Sequence, residues 1–388
     1  MLRGVMKKEL FIASATLVGF CVGAGILGLP YVFSKAGFLT GILNVILIGF
    51  AVTILYLMLG EVSLRTKRSH QITGYAGKYL GRKGKKTLFY LILIGWYGAI
   101  IAYTIKIGEF LSALISPIIN ISPIYYSILF ALVGYLFVHK GIAIIEKSEF
   151  WMILFIIIIF ILIGIFSMPS IDQHNLTKFN LEEFWFPFGI VLFAFGAAGA
   201  IPEMREELKK NEKLMKPAII LGTSLSALAY MIFPLFVVGV TGQSTTDGAI
   251  IGLGNVLGYK MLLLGGLLGI LTMSTSFLAI GLAIKEIFKF DYRKNNLKSS
   301  LLACIFPFII ALIIIILKIN NAFYNVLNII GSFIYPLSGI MFVLIFWKTR
   351  KKGDRKPEYS LKFSKILGTI IILLFLAGFI NELILLLF

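Results

Sequence analysis

The run Gly19-Phe-Cys-Val-Gly-Ala-Gly-Ile-Leu-Gly-Leu-Pro30 decides the fold. It lies in the middle of the first long apolar segment, Leu10–Phe33. Gly23, Gly25 and Gly28 are poor helix formers, each about 1 kcal/mol worse than Ala. A helix in hydrocarbon must satisfy its own backbone, so a glycine-rich interruption is tolerated only against protein or beside a cavity. Interrupted membrane helices are where secondary transporters hold their substrates. The competing reading is close helix packing, for which Gly and Ala are common in membrane helices.

Outward from that run, the composition is that of a membrane protein. The chain has 388 residues, 59% hydrophobic and only 14% charged, against roughly 25% charged in a soluble domain. Its mean hydropathy is +0.96. A span needs about 20 apolar residues. Reading for such runs gives eleven: Leu10–Phe33, Phe38–Leu59, Leu88–Ile115, Ile124–Val138, Phe150–Met168, Phe184–Ile201, Pro217–Val240, Tyr259–Ile284, Leu301–Leu317, Phe323–Trp347 and Ile366–Phe388. The reading is an all-α polytopic membrane protein with one transmembrane domain over residues 1–388.

Lys and Arg are distributed lopsidedly. Of the 36, 31 fall before the first span and in alternate loops thereafter. The other set of loops holds only Lys35, Lys178, Lys260 and Lys318, and Lys106 lies inside the third span. This is the positive-inside pattern. It predicts a multi-pass protein of the plasma membrane with the N-terminus cytoplasmic and the C-terminus outside. The net charge of +18 therefore belongs to short loops; the expected partner is the lipid bilayer, not nucleic acid. No obligatory protein partner is evident. Cys21 and Cys304 sit in apolar segments and read as packing residues. His70, His139 and His174 lie in loops and form no metal-ligand spacing. The first apolar stretch is longer than a signal-peptide core and is expected to be retained.

Three connections carry information. Glu61–Thr87 is basic, with Tyr75, Ala76, Tyr79 and Leu80 at helical spacing; it is either a short interfacial helix or a solvated basic loop. Pro169–Glu183 is polar and expected to be partly ordered. Lys348–Lys365 reads as a charged, flexible linker to a peripheral eleventh helix.

A transporter built from inverted repeats should show a second interruption five helices after the first. The sixth span supplies it: Phe193-Ala-Phe-Gly-Ala-Ala-Gly-Ala-Ile-Pro-Glu-Met204. Small residues again hold the middle, and Pro202 follows Gly199 as Pro30 follows Gly25. Repeat one would cover residues of about 9–168 and repeat two about 184–347, with the extra helix at about 366–388. Two such runs in matching positions favour a binding site over packing.

Broken-helix ends define the chemistry. Unpaired N–H groups around Gly23, Ala24, Gly25 and Ile26 suit a carboxylate. Glycine lets a ligand approach the backbone closely. Freed carbonyls around Phe193, Ala194, Phe195 and Gly196 suit an ammonium group. An amide nest facing carbonyls fits a zwitterion, hence an α-amino acid. Neither break holds an ionisable residue, and Phe193 and Phe195 flank the side-chain end, so a neutral, fairly apolar side chain is expected. Tyr97 and Tyr103 are candidates for the wall of the site, with an aromatic-belt or packing role equally open.

Gly23-Ala-Gly-Ile-Leu-Gly-Leu-Pro-Tyr-Val-Phe-Ser-Lys-Ala-Gly-Phe38, Phe193-Ala-Phe-Gly196 with Ile201-Pro-Glu-Met204, and Thr275-Ser-Phe-Leu278 with Gly281 and Asp291 resemble signatures of the amino acid/auxin permease and aromatic amino acid permease families. These belong to the amino acid–polyamine–organocation superfamily. The resemblance implies a LeuT-type fold, a 5+5 inverted repeat with broken helices 1 and 6, plus an eleventh helix. It also implies coupled uptake of amino acids. Matched to the superfamily pattern, a sodium ion would sit among carbonyls of Gly19, Val22 and Thr272 and the hydroxyls of Thr275 and Ser276. Oxygen ligands suit such a hard cation, though intrahelical bonding of the hydroxyls is the other reading. No other cofactor is implied, and proton coupling is the alternative to Na+. Some relatives replace sodium with a lysine on the fifth helix; Phe150–Met168 has no ionisable residue.

Lys106 and Glu109 stand three apart in the third span, able to pair on one face. They read either as a structural ion pair or as a proton-sensing or gating element. Glu61 and Glu203, at the ends of spans two and six, are candidates to hold a gate or are simply solvated charges. The leading function is a secondary active transporter importing neutral L-amino acids, aromatic or branched ones included, by alternating access. The alternative is a membrane-embedded sensor that binds the same ligand without transport. A sensor usually carries a long soluble tail, and only about nine residues precede the first span. An enzyme would need reactive groups inside the spans, and a channel a filter or charged rings; neither pattern is present.

Overall fold

The computed structural model describes residues 2–291 and 293–387, with side chains described for 8–141, 155–289 and 293–387. Phe388, the end of the eleventh predicted span, lies outside the described residues. The helices are α1 Leu2–Cys21, α2 Gly25–Ala36, α3 Phe38–Arg65, α4 Ile72–Ile115, α5 Pro123–Lys140, α6 Ile142–Ser167, α7 Phe188–Ala194 and α8 Ala200–Glu207. There follow α9 Met215–Thr241, α10 Ile250–Leu257, α11 Tyr259–Glu286, α12 Asn296–Ile316, α13 Ala322–Ile329, α14 Tyr335–Lys352 and α15 Ser364–Leu387. Among the described residues there is no strand.

Among the described residues, eight of these stretches are long and apolar enough to cross a membrane, counting α13–α14 as one, and the bent pair α1–α2 makes a ninth. The fifth and sixth places are taken by α6 and by the pair α7–α8. Both predicted breaks are real. The axis turns by 60° between α1 and α2. Residues 195–199 leave the helix between α7 and α8. Pro202 falls in the first turn of α8, where its missing N–H has no intrahelical acceptor to lose. The two broken spans meet at the centre: α2 packs on α7, and α9 lies against both α1 and α2.

Two short helical segments stand between spans, one after the second span and one after the seventh. The basic loop after the second span forms the start of α4, which bends sharply at Gly81 (φ 78°, ψ −172°) before the third span begins. Tyr75, Ala76 and Tyr79 on this segment are buried, so it is a helix packed against the protein and not a solvated loop. Its counterpart after the seventh span is α10, which the sequence left as loop; it ends at Gly258 (φ 86°, ψ 178°). Both angles lie in a region that only glycine enters without strain.

The loop before α7 is ordered by backbone bonds to α3 and α9. Leu39 N–H donates to the Lys178 carbonyl (3.1 Å) and Asp172 N–H to that of Gly239 (2.9 Å). The connection from α14 to α15 corrects a sequence expectation. Residues 353–363 are not a free linker but a strap laid along the end of the molecule that carries most of the Lys and Arg, here called the basic face. Asp354 and Arg355 N–H groups both donate to the Arg65 carbonyl, at 2.8 and 3.2 Å.

Candidate functional site

The α1–α2 break exposes backbone because Gly23 and Gly25 permit a path that a larger side chain would block. A Cβ on Gly25 would lie 2.5 Å from the Cα of Ala194 on α7. One on Gly23 would lie 2.8 Å from the Ser276 hydroxyl on α11. At the break itself two of the four N–H groups expected to be free are engaged: Gly23 donates to the Cys21 carbonyl (2.8 Å) and Ile26 to that of Gly23 (3.4 Å), followed by Leu27 on Ala24 (3.1 Å). The backbone bonds of the break use neither the Ala24 nor the Gly25 N–H. These two donors stand at the positive end of α2.

Across from them, the α7 end is held by tyrosines. The Tyr230 hydroxyl on α9 lies 2.6 Å from the Cys21 carbonyl and 2.5 Å from that of Ala194, so one side chain joins both breaks. The Tyr56 hydroxyl on α3 donates to the Phe195 carbonyl and accepts from Ala197 N–H at 2.6 Å. Phe193 stacks on Tyr335 with ring centroids 5.7 Å apart, and Phe195 meets Tyr230 edge-on at 5.0 Å. Gly196 passes under the Tyr335 ring, where no Cβ would fit. Tyr56, Tyr230 and Tyr335 were not singled out from the sequence. Their signal is a phenol in the middle of an apolar span, which needs an acceptor where water is scarce.

Of the two wall candidates, Tyr103 is buried and interacts with Ser276, beside the break. Tyr97 is turned to α12, donating to the Leu302 carbonyl (3.0 Å) and stacking near Phe306. The structure does not bring it to the site. Ala24 and Ile26 are buried in the same core as Ala194.

The candidate cation ligands are partly brought together. Gly23 abuts Ser276, so α1 and α11 meet at the break. Thr275 donates its hydroxyl to the Thr272 carbonyl (2.9 Å), and Thr272 donates to Leu268 (2.9 Å). The Thr275 hydroxyl thus bonds back along its helix, as the other reading of this residue expects, and it does so to the Thr272 carbonyl; each of these oxygens keeps a lone pair that a hard cation could take. Val22, Thr275 and Ser276 are partly exposed, and Gly19 is exposed. By contrast, Gly25–Pro30 of α2 and Phe188–Phe195 on the α7 side are buried throughout. The break is sealed on its α2–α7 side and accessible on its α1–α8 side.

A family model described as the tryptophan/tyrosine permease family matches residues 6–384. The chain belongs to the tryptophan/tyrosine permease family. Tyrosine-specific transport system 1 of Haemophilus influenzae is 23% identical to the permease over 370 residues, covering 89% of the permease and 90% of the relative. Glutamine transporter 2 of Aliivibrio fischeri is 26% identical over 242 residues, 60% of the permease and 62% of that relative. A crystal structure of MhsT in complex with L-phenylalanine aligns with a TM-score of 0.74 at 14% identity, covering 95% of the permease and 98% of that chain. That likeness carries the fold, a LeuT-type arrangement with broken first and sixth helices.

Charged side chains cluster at both ends of the permease. At the end opposite the basic face, Lys106 is 1% exposed. It pairs with Glu109 one turn along α4 and with Asp247 (2.7 Å) in the loop before α10. Its ammonium also lies 5.2 Å from the Phe323 ring of α13. Asp247 is the member the sequence reading missed, because it sits in a polar loop outside every apolar run. Gly248 beside it must be small: a Cβ there would press on the lysine stem at 2.9 Å.

At the basic face Glu61 is 0% exposed. It accepts from Arg65 Nε (2.8 Å), Leu361 N–H (2.7 Å) and the Ser360 hydroxyl (3.2 Å). Glu203 is exposed. Two positions on, buried Arg205 holds the central place, donating to the Thr66 carbonyl (2.8 Å) and to Glu212 (3.2 Å). Arg355 of the strap donates to Glu212, to Glu358 and to the Leu64 carbonyl. Tyr359 donates to the Leu57 carbonyl at 2.6 Å. Lys78 and the Lys67 N–H (3.0 Å) both serve Asp354. The hydrogen bond from Lys78, followed by that from Lys67, holds the Asp354 carboxyl below its usual range. Burial works against ionised Glu212, but hydrogen bonds from Arg355 and Arg205 outweigh it and its carboxyl is also lowered. Burial, with Lys78, Arg205 and Arg68 nearby, lowers His70.

Proposed function

We propose that the permease is a secondary active transporter that carries neutral L-amino acids across the plasma membrane by alternating access. The carrying observation is that both interrupted helices are joined at one point, through Gly25 on Ala194 and through the Tyr230 hydroxyl. In this reading the substrate carboxylate takes the Ala24 and Gly25 N–H groups. The ammonium takes the carbonyl side of the α7 end, displacing part of the tyrosine bonding. Phe193, Phe195, Tyr103 and Tyr335 surround the side chain. Relatives named for tyrosine and for glutamine transport support a side chain without net charge.

The coupling ion in this reading is Na+, held by oxygens of Val22, Thr272, Thr275 and Ser276 where α1 and α11 meet. A bound cation there supplies positive charge close to the substrate carboxylate. The basic face is cytoplasmic, in line with the charge distribution. The conformer described above is then closed toward the outside and accessible from within, with Lys106, Glu109 and Asp247 holding the outer side.

The test is counterflow and gradient-driven uptake in proteoliposomes with a panel of labelled amino acids. Uptake of neutral amino acids driven by an imposed Na+ gradient is expected. Drive by a proton gradient alone would replace Na+ with H+. Binding without counterflow would assign the chain to the sensor class and sink the transporter reading.

A further inference from the structure

The eleventh helix carries a carboxylate that nothing above uses. Between Ser364 and Leu387, α15 is apolar apart from Ser364, Lys365, Thr369, Asn381 and Glu382, and its only charged residues are Lys365 and Glu382. From Ser364 to Glu382 is roughly 27 Å along a helix, so Glu382 lies near the end opposite the basic face but still within the span. An ionisable group at such a depth is expensive and is retained for a partner or a function.

The partner is specific. Asn328 of α13 donates its side-chain N–H to Glu382 at 2.6 Å. The Asn328 side-chain oxygen in turn accepts from the Ser332 hydroxyl at 3.2 Å. Ser332 lies in a π-helical turn, Ile330–Ile334, that joins α13 to α14. Gly189 of α7 is pressed against this pair so closely that no Cβ would fit beside Asn328 and Ser332. Gly331 meets the Gly189 carbonyl in the same way. Further along α15, Gly378 lies under the Phe188 ring of α7. The chain of contact runs from Glu382 through Asn328 and Ser332 to α7, the half-helix that ends at Ala194 and Phe195.

Among the described residues Glu382 has no ion-pair partner. The phenol of Tyr324 on α13 faces it, and Glu183 acts on that same phenol. Neither α7 nor the π-helical turn carries an ionisable side chain. α15 also packs on α3 and α14. Tyr56 and Tyr335 of these helices are engaged at the break. Their charged residues, Glu61 and Arg65 on α3 and Lys348, Arg350, Lys351 and Lys352 on α14, lie at the basic face. A lone carboxylate in this setting is relieved by taking up a proton. The asparagine amide then meets a neutral acid, and its hold on the group weakens.

We propose that Glu382 is a proton-binding site whose charge is read by α7 through Asn328 and Ser332, giving the permease a pH-dependent step. The proton comes from water at the nearby face and returns to it. The effect on transport rests on the transporter reading; the protonation itself does not.

Infrared difference spectra of the purified protein in lipid nanodiscs, titrated from about pH 8 to about pH 5, test the site directly. The wild-type spectrum minus that of Glu382→Gln, which keeps the side-chain shape and a hydrogen bond, is expected to hold a carboxylic-acid C=O band that grows over that interval. Asn328→Ala, which removes a donor to the anion, should move the midpoint to higher pH by about one unit. A wild-type-minus-E382Q difference without such a band overturns the assignment. In proteoliposomes E382Q should flatten the pH dependence of uptake. An unchanged profile would overturn the link to α7, while absence of any wild-type counterflow would sink the transporter reading alone.

Discussion

The two ends of the permease are held together in opposite ways. Away from the basic face, one buried lysine joins two carboxylates, on α4 and on the loop before α10. At the basic face, a strap of eleven residues, 353–363, spreads its bonds over α3, α4, α14 and the turn at Glu212. The first arrangement concentrates its hold in a single cation. The second divides it among many groups, most of them partly exposed and individually weak. A concentrated hold is lost with one side chain, whereas a divided one outlasts the loss of any single member and gives way when several of its members go together.

The sharpest way to break this comparison is Lys106→Met. It leaves Glu109 and Asp247 facing each other without their cation, and removing one partner of a buried pair costs about 3–5 kcal/mol. The lower end is expected, because the Glu109 side chain is 35% exposed. Thermal unfolding in detergent should shift strongly, and protease access to the 242–249 loop should rise. An unshifted melting curve would show that the lysine holds nothing.

Glu61→Gln should come next, at about 2 kcal/mol, since hydrogen bonds to a charged acceptor are worth about 1.5–3 kcal/mol. Tyr359→Phe is expected to cost about 1 kcal/mol, that of a single neutral hydrogen bond. The divided-hold picture predicts strong coupling between these two in a double-mutant cycle, because both act through the same strap. Simple additivity would contradict it.

The smallest effect is that of pH. Asp354 and Glu212 have lowered carboxyl values in the folded protein. Their contribution is therefore complete above the ordinary carboxylate range, near about pH 4. It is lost only as pH falls through the lowered values. His70 is also lowered. The unfolded chain then binds that proton more readily, so acidification below about pH 6.5 costs a little stability first. Hydrogen exchange at the 353–363 amides should change slightly between pH 7 and 5 and sharply only below about pH 4. A sharp loss near pH 6 would shift the burden from the carboxylates to the histidine.

What the sequence made legible follows the range of the forces involved. Both breaks were readable because glycine and proline act locally. The span pattern was readable from hydropathy, and Lys106 with Glu109 from helical spacing. Asp247 lies 141 residues from its lysine, and Leu361 lies 300 from Glu61; no local pattern links them. The strap holds Gly353, Pro357 and five charged residues, a composition that reads as linker until its partners are known. Tyr97 and Tyr103 shared a helix, but six residues rotate a side chain by roughly 240°. Two side chains so rotated do not face one wall of the site.

The Tyr230 hydroxyl has one hydrogen and stands within bonding distance of two carbonyls, those of Cys21 and Ala194. It can satisfy only one of them at a time. Gly23 N–H also serves the Cys21 carbonyl (2.8 Å), so it is the Ala194 carbonyl that goes short of a donor whenever the hydroxyl turns away from it. A guest that brings hydrogen to this point removes the deficit, while one that brings only lone pairs deepens it. Discrimination between an amine and its deaminated analogue would then be decided by a count of protons at a single oxygen, before any side-chain pocket has been consulted.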